Sequence, residues 1–209
     1  MTANTAAAAQ PRIPSQEIGS LFHTRWSPRA FTGEELPLKT LMGLFEAARW
    51  APSAMNAQPW RFVYALRGTP QFERFLSTLA PPNQLWASRA SVLVALVSQR
   101  FLALPGKAEL APSASHSFDA GAAWTQLALQ AHLWGWATHA IGGFDQEKAR
   151  EVLAIPDDHQ LEVFIAVGRQ GDPAGLPDWA RTREQPSDRR PLEELVREGS
   201  FGAGRPPRR

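Results

Sequence analysis

Ala51-Pro52-Ser53-Ala54-Met55-Asn56-Ala57-Gln58-Pro59-Trp60 lies between a helix-like stretch and a strand-like one. Pro52 ends the helix that carries Leu41, Leu44, Phe45 and Ala48, because its ring cannot follow another ordinary helical turn without a clash. Asn56 and Gln58 then stand two apart. In extended backbone that spacing turns both carboxamides to one side, where each offers two donors and one acceptor. A flat heteroaromatic edge of alternating carbonyls and nitrogens would suit them. The same residues also allow a plainer reading, a helix stop followed by a loop that satisfies its own amides.

Upstream, Arg25-Trp26-Ser27-Pro28-Arg29 sets two guanidinium groups around a hydroxyl. That grouping suits a phosphate and its attached sugar-like chain, although a solvated turn can carry it too. Downstream come Asn83-Gln84-Leu85-Trp86, the apolar run Val92 to Val97, Asp119-Ala120-Gly121 opening a long apolar helix, Ile141-Gly142-Gly143-Phe144, and Arg189-Arg190-Pro191-Leu192.

Taken in this order, the segments resemble the nitroreductase family of FMN flavoproteins, over roughly Ser20 to Val196. The resemblance implies an α+β sandwich in which a central mixed, mainly antiparallel sheet is flanked by helices. It also implies a homodimer with FMN at the subunit interface and a C-terminal arm reaching over the partner. Arg25, Trp26, Ser27 and Arg29 would lie at the FMN phosphate or ribityl chain. Pro52, Ser53, Ala54, Asn56 and Gln58 would lie against the flavin ring, partly from the opposite subunit, with Ala54 where relatives have serine. Asn83 falls where the family has a flavin-contacting asparagine, or else caps a short helix. Ile141, Gly142 and Gly143 either pass over the ring or form a simple strand-to-helix turn. Arg189 and Arg190 resemble a closing phosphate-binding pair, with the choice between them open. Trp86 stands where several relatives have lysine.

The chain has 209 residues, 44% hydrophobic and 20% charged, which suits one soluble domain. The expected division is a flexible lead over 1–14, one domain over 15–198 and a flexible tail over 199–209. No apolar stretch is long enough for a bilayer, and the alanines near the start lack the pattern of a secretion signal, so no membrane and a cytoplasmic location are the defaults. Cysteine is absent, which removes disulfides, thiolate nucleophiles, iron-sulfur clusters and the usual structural zinc sites. Redox chemistry would have to come from a bound cofactor. Residues 181 to 209 hold eight arginines against five acids, but scattered in a Pro- and Gly-rich setting unlike a nucleic-acid face.

Periodicity predicts a helix over Ser15–His23 capped by Ser15, and a second from Pro37 to about Trp50. Arg61 to Leu66 reads as a strand, Pro70 to Leu79 as a helix, Ser91 to Ser98 as a buried strand and Leu161 to Val167 as another. A loop from about Leu104 to Ser117 is long enough to be a flap. Phe118 to Trp136 reads as a helix apolar on most of its circumference, and Asp145 as the cap of one ending near Leu153. His116, His132 and His139 show no metal-ligand spacing, so no metal is expected. Gly202-Ala203-Gly204 is no dinucleotide motif, since neither strand nor helix flanks it.

What the resemblance implies is an FMN-dependent oxidoreductase that transfers hydride from NAD(P)H through bound FMN to an electron-poor small-molecule acceptor (nitroaromatic, quinone or enal) by a ping-pong mechanism. The catalytic work would fall to the FMN itself and not to a side chain. The same flavin fold could instead serve reductive dehalogenation, small-aldehyde reduction or flavin fragmentation. A non-enzyme alternative is an arginine-rich protein that binds nucleic acid or an acidic partner through its tail.

Overall fold

In the computed structural model, residues 12–202 are described apart from 104, 105, 107 and 108. Helix α1 spans Ser20–Thr24 and α2 spans Leu38–Arg49. Strand β1 (Trp60–Leu66) leads to α3 (Pro70–Leu76) and α4 (Pro81–Ala87), each opened by proline, whose missing N–H is harmless in a first turn. Next come β2 (Val92–Gln99), the short strands β3 (Phe101–Ala103) and β4 (Leu110–Pro112), α5 (His116–Leu133) and β5 (Ala137–Ile141). The chain closes with α6 (Gln146–Val152), β6 (His159–Gly168), α7 (Asp178–Arg181) and α8 (Leu192–Leu195).

The main sheet has the order β1-β2-β6-β5. All three of these pairings are antiparallel, in keeping with the mainly antiparallel sheet expected. For two of them the reason lies in the connections: α3 with α4, and α6 alone, each leave and re-enter the sheet at the same end, so the strands they join, β1 with β2 and β5 with β6, run oppositely.

Strand β2 is apolar from Val92 to Val97, yet its period of two still divides the core. Val92, Val94 and Leu96 point to the layer formed by α2 and α5, beside Leu41, Leu44, Ala123 and Leu127. Leu93, Ala95 and Val97 point to the other layer, beside Phe72, Phe75, Trp86 and Phe164. Helices on both faces of one sheet make a three-layer sandwich. No helix among the described residues is long and apolar enough to cross a membrane.

Several elements depart from the periodicity. The first helix is one turn, not Ser15–His23. Gly19 stands at its start without a side-chain cap, and Ile18 and Phe22 are exposed, so nothing offsets the entropy of a longer helix. Pro37 lies just outside α2 and α3 stops at Leu76. Helix α5 begins at His116 and ends before Gly135, whose φ of +73° turns the chain back. The Gly135 N–H meets the His132 carbonyl and the Trp136 N–H meets that of Ala131, so the last carbonyls are satisfied there and the helix cannot reach Trp136. Only one side of α5 is buried, while Phe118 and Leu133 are exposed. The stretch read as a loop from Leu104 contains a strand instead, because Leu110–Pro112 pairs with Phe101–Ala103. The rest of that reading falls partly on residues outside those described.

Candidate cofactor site

The segment Arg25–Phe31 runs beside the end of β6. The Thr32 N–H donates to the Arg169 carbonyl and the Gly171 N–H donates to that of Ala30, which stitches it in place. Glu184 adds a second anchor, its Oε1 accepting the backbone N–H groups of Arg29 at 2.7 Å and Ala30 at 2.8 Å. On this frame Arg25, Trp26, Ser27, Arg29 and Arg189 line one cleft of about 280 Å³. Arg25 Nη1 donates to Ser27 Oγ at 3.3 Å. Burial and the charges of Arg12 and Arg189 lower the proton affinity of Arg25, a sign of cations crowded together. Such a cluster suits a multiply charged anion. Arg189 is in it; Arg190 is not among its lining residues.

His139 forms the floor of that cleft. Its Nδ1–H donates to the Pro28 carbonyl at 3.0 Å, and its ring lies 4.7 Å from that of Trp86. Burial, with the charges of Arg29 and Arg25, pushes its pKa down to about 4 against the pull of its backbone hydrogen bonds. Trp86 is fully buried, so it packs in the core where a cation near the ring was the family alternative. Its Nε1–H donates to Asn83 Oδ1 at 3.3 Å, and Asn83 Nδ2 donates to the Gly143 carbonyl at 2.9 Å. A chain of contacts thus runs from the arginines through His139, Trp86 and Asn83 to the glycine turn. Asn83 lies inside the first turn of α4 and is not its cap, a position that Ala80 holds. A Cβ on Gly143 would come within 2.7 Å of Asn83 Nδ2, so only glycine allows that approach, whereas Gly142 has open space. Ile141 points into the core.

The loop at 51–59 is not extended. Ala54–Asn56 forms a 3-10 turn, and Met55, Asn56 and Gln58 all have φ near +50°. Its carboxamides therefore do not align by strand alternation. Left-handed backbone at three non-glycine residues costs about 1 kcal/mol or more each. Tertiary bonds hold it: Asp119 Oδ2 accepts the Ala54 N–H at 3.2 Å, and Ser53 Oγ accepts the Gln58 N–H at 3.0 Å. Gln58 Nε2 donates to the Asn56 carbonyl, so the loop satisfies part of itself. Pro52, Ala54, Asn56 and Gln58 are exposed.

These two groups do not meet within one chain. The 51–59 loop enters β1 at one edge of the sheet, while Gly142 and Gly143 leave β5 at the other. Three strand spacings, roughly 14 Å, separate the edges. Met55 and Asn56 border a different cleft, facing Phe101 and Leu110, and it shares no residue with the arginine cleft.

Three residues of these sites were not assigned to them from the sequence. Arg12, in the stretch read as a lead, lines the arginine cleft with no motif to announce it. His139 could have been found, since it alternates with Ala137 and Ile141 on one face of β5. Asp119 reads from sequence as a carboxylate suited to a helix N-terminus, and its bond to Ala54 is purely tertiary.

Residues 23–74 and 67–169 match the sequence profile described as the nitroreductase family. A Streptomyces coelicolor protein provisionally named NADH dehydrogenase/NAD(P)H nitroreductase is 32% identical over 187 residues, which are 82% of this chain and 90% of that protein. An NADH dehydrogenase of Thermus thermophilus is 27% identical over 82% of this chain and 91% of its own length. A crystal structure described as an oxidoreductase containing FMN superposes with a TM-score of 0.88 at 44% identity, covering 92% of this chain and 97% of that one. A Desulfovibrio desulfuricans protein, provisionally called a nitroreductase and solved in complex with FMN, gives 0.68 at 25% identity over 87% and 95%.

Proposed function

This chain belongs to the nitroreductase family and is an FMN-dependent NAD(P)H oxidoreductase, and we propose that it reduces an electron-poor acceptor at a site built by two copies of the chain. FMN, when bound, would supply the redox chemistry, hydride transfer from reduced nicotinamide to a nitroaromatic, quinone or enal in a ping-pong sequence. The residues present fit that cofactor. Arg25, Arg29 and Arg189 would hold its phosphate, with Ser27 beside them. Asn83 and the Gly142–Gly143 turn stand where the ring edge would need close backbone approach and amide partners.

One observation carries the two-copy site: the carboxamide loop and the arginine cleft lie on opposite edges of one sheet, so a single chain cannot close both on one ligand. In a homodimer, Asn56 and Gln58 of the partner subunit would complete the site. Exposed Phe118 and Leu133 on α5, with Met42 and Trp50 at α2, supply an apolar face for such a partner. The strained backbone of the loop agrees with a part held ready for a ligand that its own chain does not provide.

The test is a visible spectrum with sedimentation on the same sample. The expected result is a yellow dimer whose flavin absorbance bleaches with NADH or NADPH without oxygen. Folded protein that takes up no FMN removes the function, and a flavin-loaded monomer at micromolar concentration removes the two-copy site.

A further inference from the structure

The side chain of Arg12 lies where the segment before α1 meets the segment between α7 and α8. Its Nη1 donates to the carbonyls of His23 at 3.1 Å and Arg25 at 2.8 Å, and its Nε donates to that of Ser187 at 2.8 Å. Arg189 Nη1 donates to the same Ser187 carbonyl at 3.1 Å. One guanidinium therefore grips the backbone of one cleft arginine and shares an acceptor with the other.

We propose that Arg12 is a positioning residue of the phosphate cleft, bracketing Arg25 and Arg189 from two segments of the chain so that both face one phosphate. The inference rests on the flavin-phosphate reading of this cleft. Its physical basis is the planar fork of arginine, which presents several donors in fixed directions and can span carbonyls on two segments at once. Lysine has a single nitrogen and cannot make the same bracket. The three acceptors are neutral carbonyls, so the charge of Arg12 stays in the cleft and adds to those of Arg25 and Arg189. Burial and the Arg189 charge lower its proton affinity, with Asp188 opposing them. Three cations gathered this closely repel one another, and the bonds of Arg12 hold them together until an anion relieves the repulsion.

FMN and riboflavin differ only in the phosphate, so the ratio of their affinities isolates this cleft from the ring site. Flavin fluorescence quenching on the flavin-stripped full chain gives both. Arg12→Gln is expected to lose about tenfold to a hundredfold in FMN affinity while riboflavin affinity stays the same. Arg12→Lys, which keeps the charge, should recover only a small part of the preference, and it serves equally if the glutamine variant does not fold. Equal losses for both flavins, or full FMN preference in Arg12→Lys, would overturn the bracket. Arg189→Ala separates the two levels of argument. If it abolishes FMN preference while Arg12→Gln keeps it, Arg12 alone is misassigned. If the unaltered chain binds riboflavin as tightly as FMN, the phosphate reading fails and the proposal with it.

Discussion

The buried carboxylate of Asp119, in the first turn of α5, accepts the backbone N–H of Ala54 in the strained loop ahead of β1, and also the Ser115 hydroxyl at 3.0 Å. A helix end thereby sets the conformation of a loop that sequence places more than sixty positions away.

Asp119→Ala removes the acceptor and leaves the Ala54 N–H without it. The variant should lose about 1–3 kcal/mol of unfolding free energy, the combined net worth of the two hydrogen bonds that Asp119 accepts. Urea denaturation measures this directly. A loss below about 0.5 kcal/mol, the ordinary range for inconsequential substitutions, would show that the loop does not depend on Asp119.

The fold was largely legible where burial imposes a period. Val92 to Val97, Leu161 to Val167 and the apolar positions of α2 all form the elements that their spacing indicates. Ends were harder, because Gly135 stops α5 through its positive φ and not through loss of apolar pattern, while the first helix lacks a side-chain cap and a buried face. Part of the site was legible too: Arg25, Ser27 and Arg29 share a cleft, as their grouping suggests. The shape of the 51–59 loop was not legible. Met55, Asn56 and Gln58 have positive φ that no residue type there requires, so the conformation comes from Asp119 and Ser53 bonds formed only in the fold. Arg12 was hidden by the same limit, since its contact with Ser187 joins segments that meet only in three dimensions.

Gly143 and Gly142 offer a sharp contrast between neighbours. Alanine at 143 places a methyl group 2.7 Å from Asn83 Nδ2 and must push that amide away, whereas alanine at 142 meets nothing within 4 Å. Gly143→Ala should shift the visible flavin spectrum and weaken flavin binding by about tenfold, corresponding to one disturbed hydrogen bond, and combining it with Asn83→Ala should add little further. Losses that simply add would mean that Asn83 and Gly143 act independently.

His139 predicts how stability follows pH. Its pKa in the fold is about 4, against 6.5 for an ordinary imidazole. Between those values the unfolded chain binds a proton that the folded chain refuses. The contribution is therefore complete above about 6.5 and is lost as pH falls toward 4, reaching up to about 3 kcal/mol. His139→Gln can still donate to the Pro28 carbonyl but cannot titrate. The stability difference between the native chain and this variant should shrink in favour of glutamine from pH 7.5 to pH 4.5. Because carboxylates common to both cancel, a difference that stays constant over that range would mean the imidazole is not held neutral.

Arg189 and Arg190 are adjacent, equally charged and both exposed, yet the fold treats them differently. Arg189 turns back onto Ser187, bonding its carbonyl at 3.1 Å and its hydroxyl at 3.3 Å, and lines the cleft with Arg25 and Arg29. Arg190 has no such bonds to the cleft. A mere increase in local positive potential would make the two interchangeable, since screening at ordinary salt acts over about 8–10 Å and adjacent residues would sense a bound anion alike. A directed contact would not. Arg189→Ala is therefore expected to weaken FMN binding by about tenfold to a hundredfold, the scale of one charge-assisted hydrogen-bonding partner, while Arg190→Ala changes it by less than about twofold. Titrations at low and high salt complete the comparison: the Arg189 deficit should persist at high salt, and any Arg190 effect should fade. Equal deficits at both positions would reassign the contact from one oriented guanidinium to the general charge of the segment.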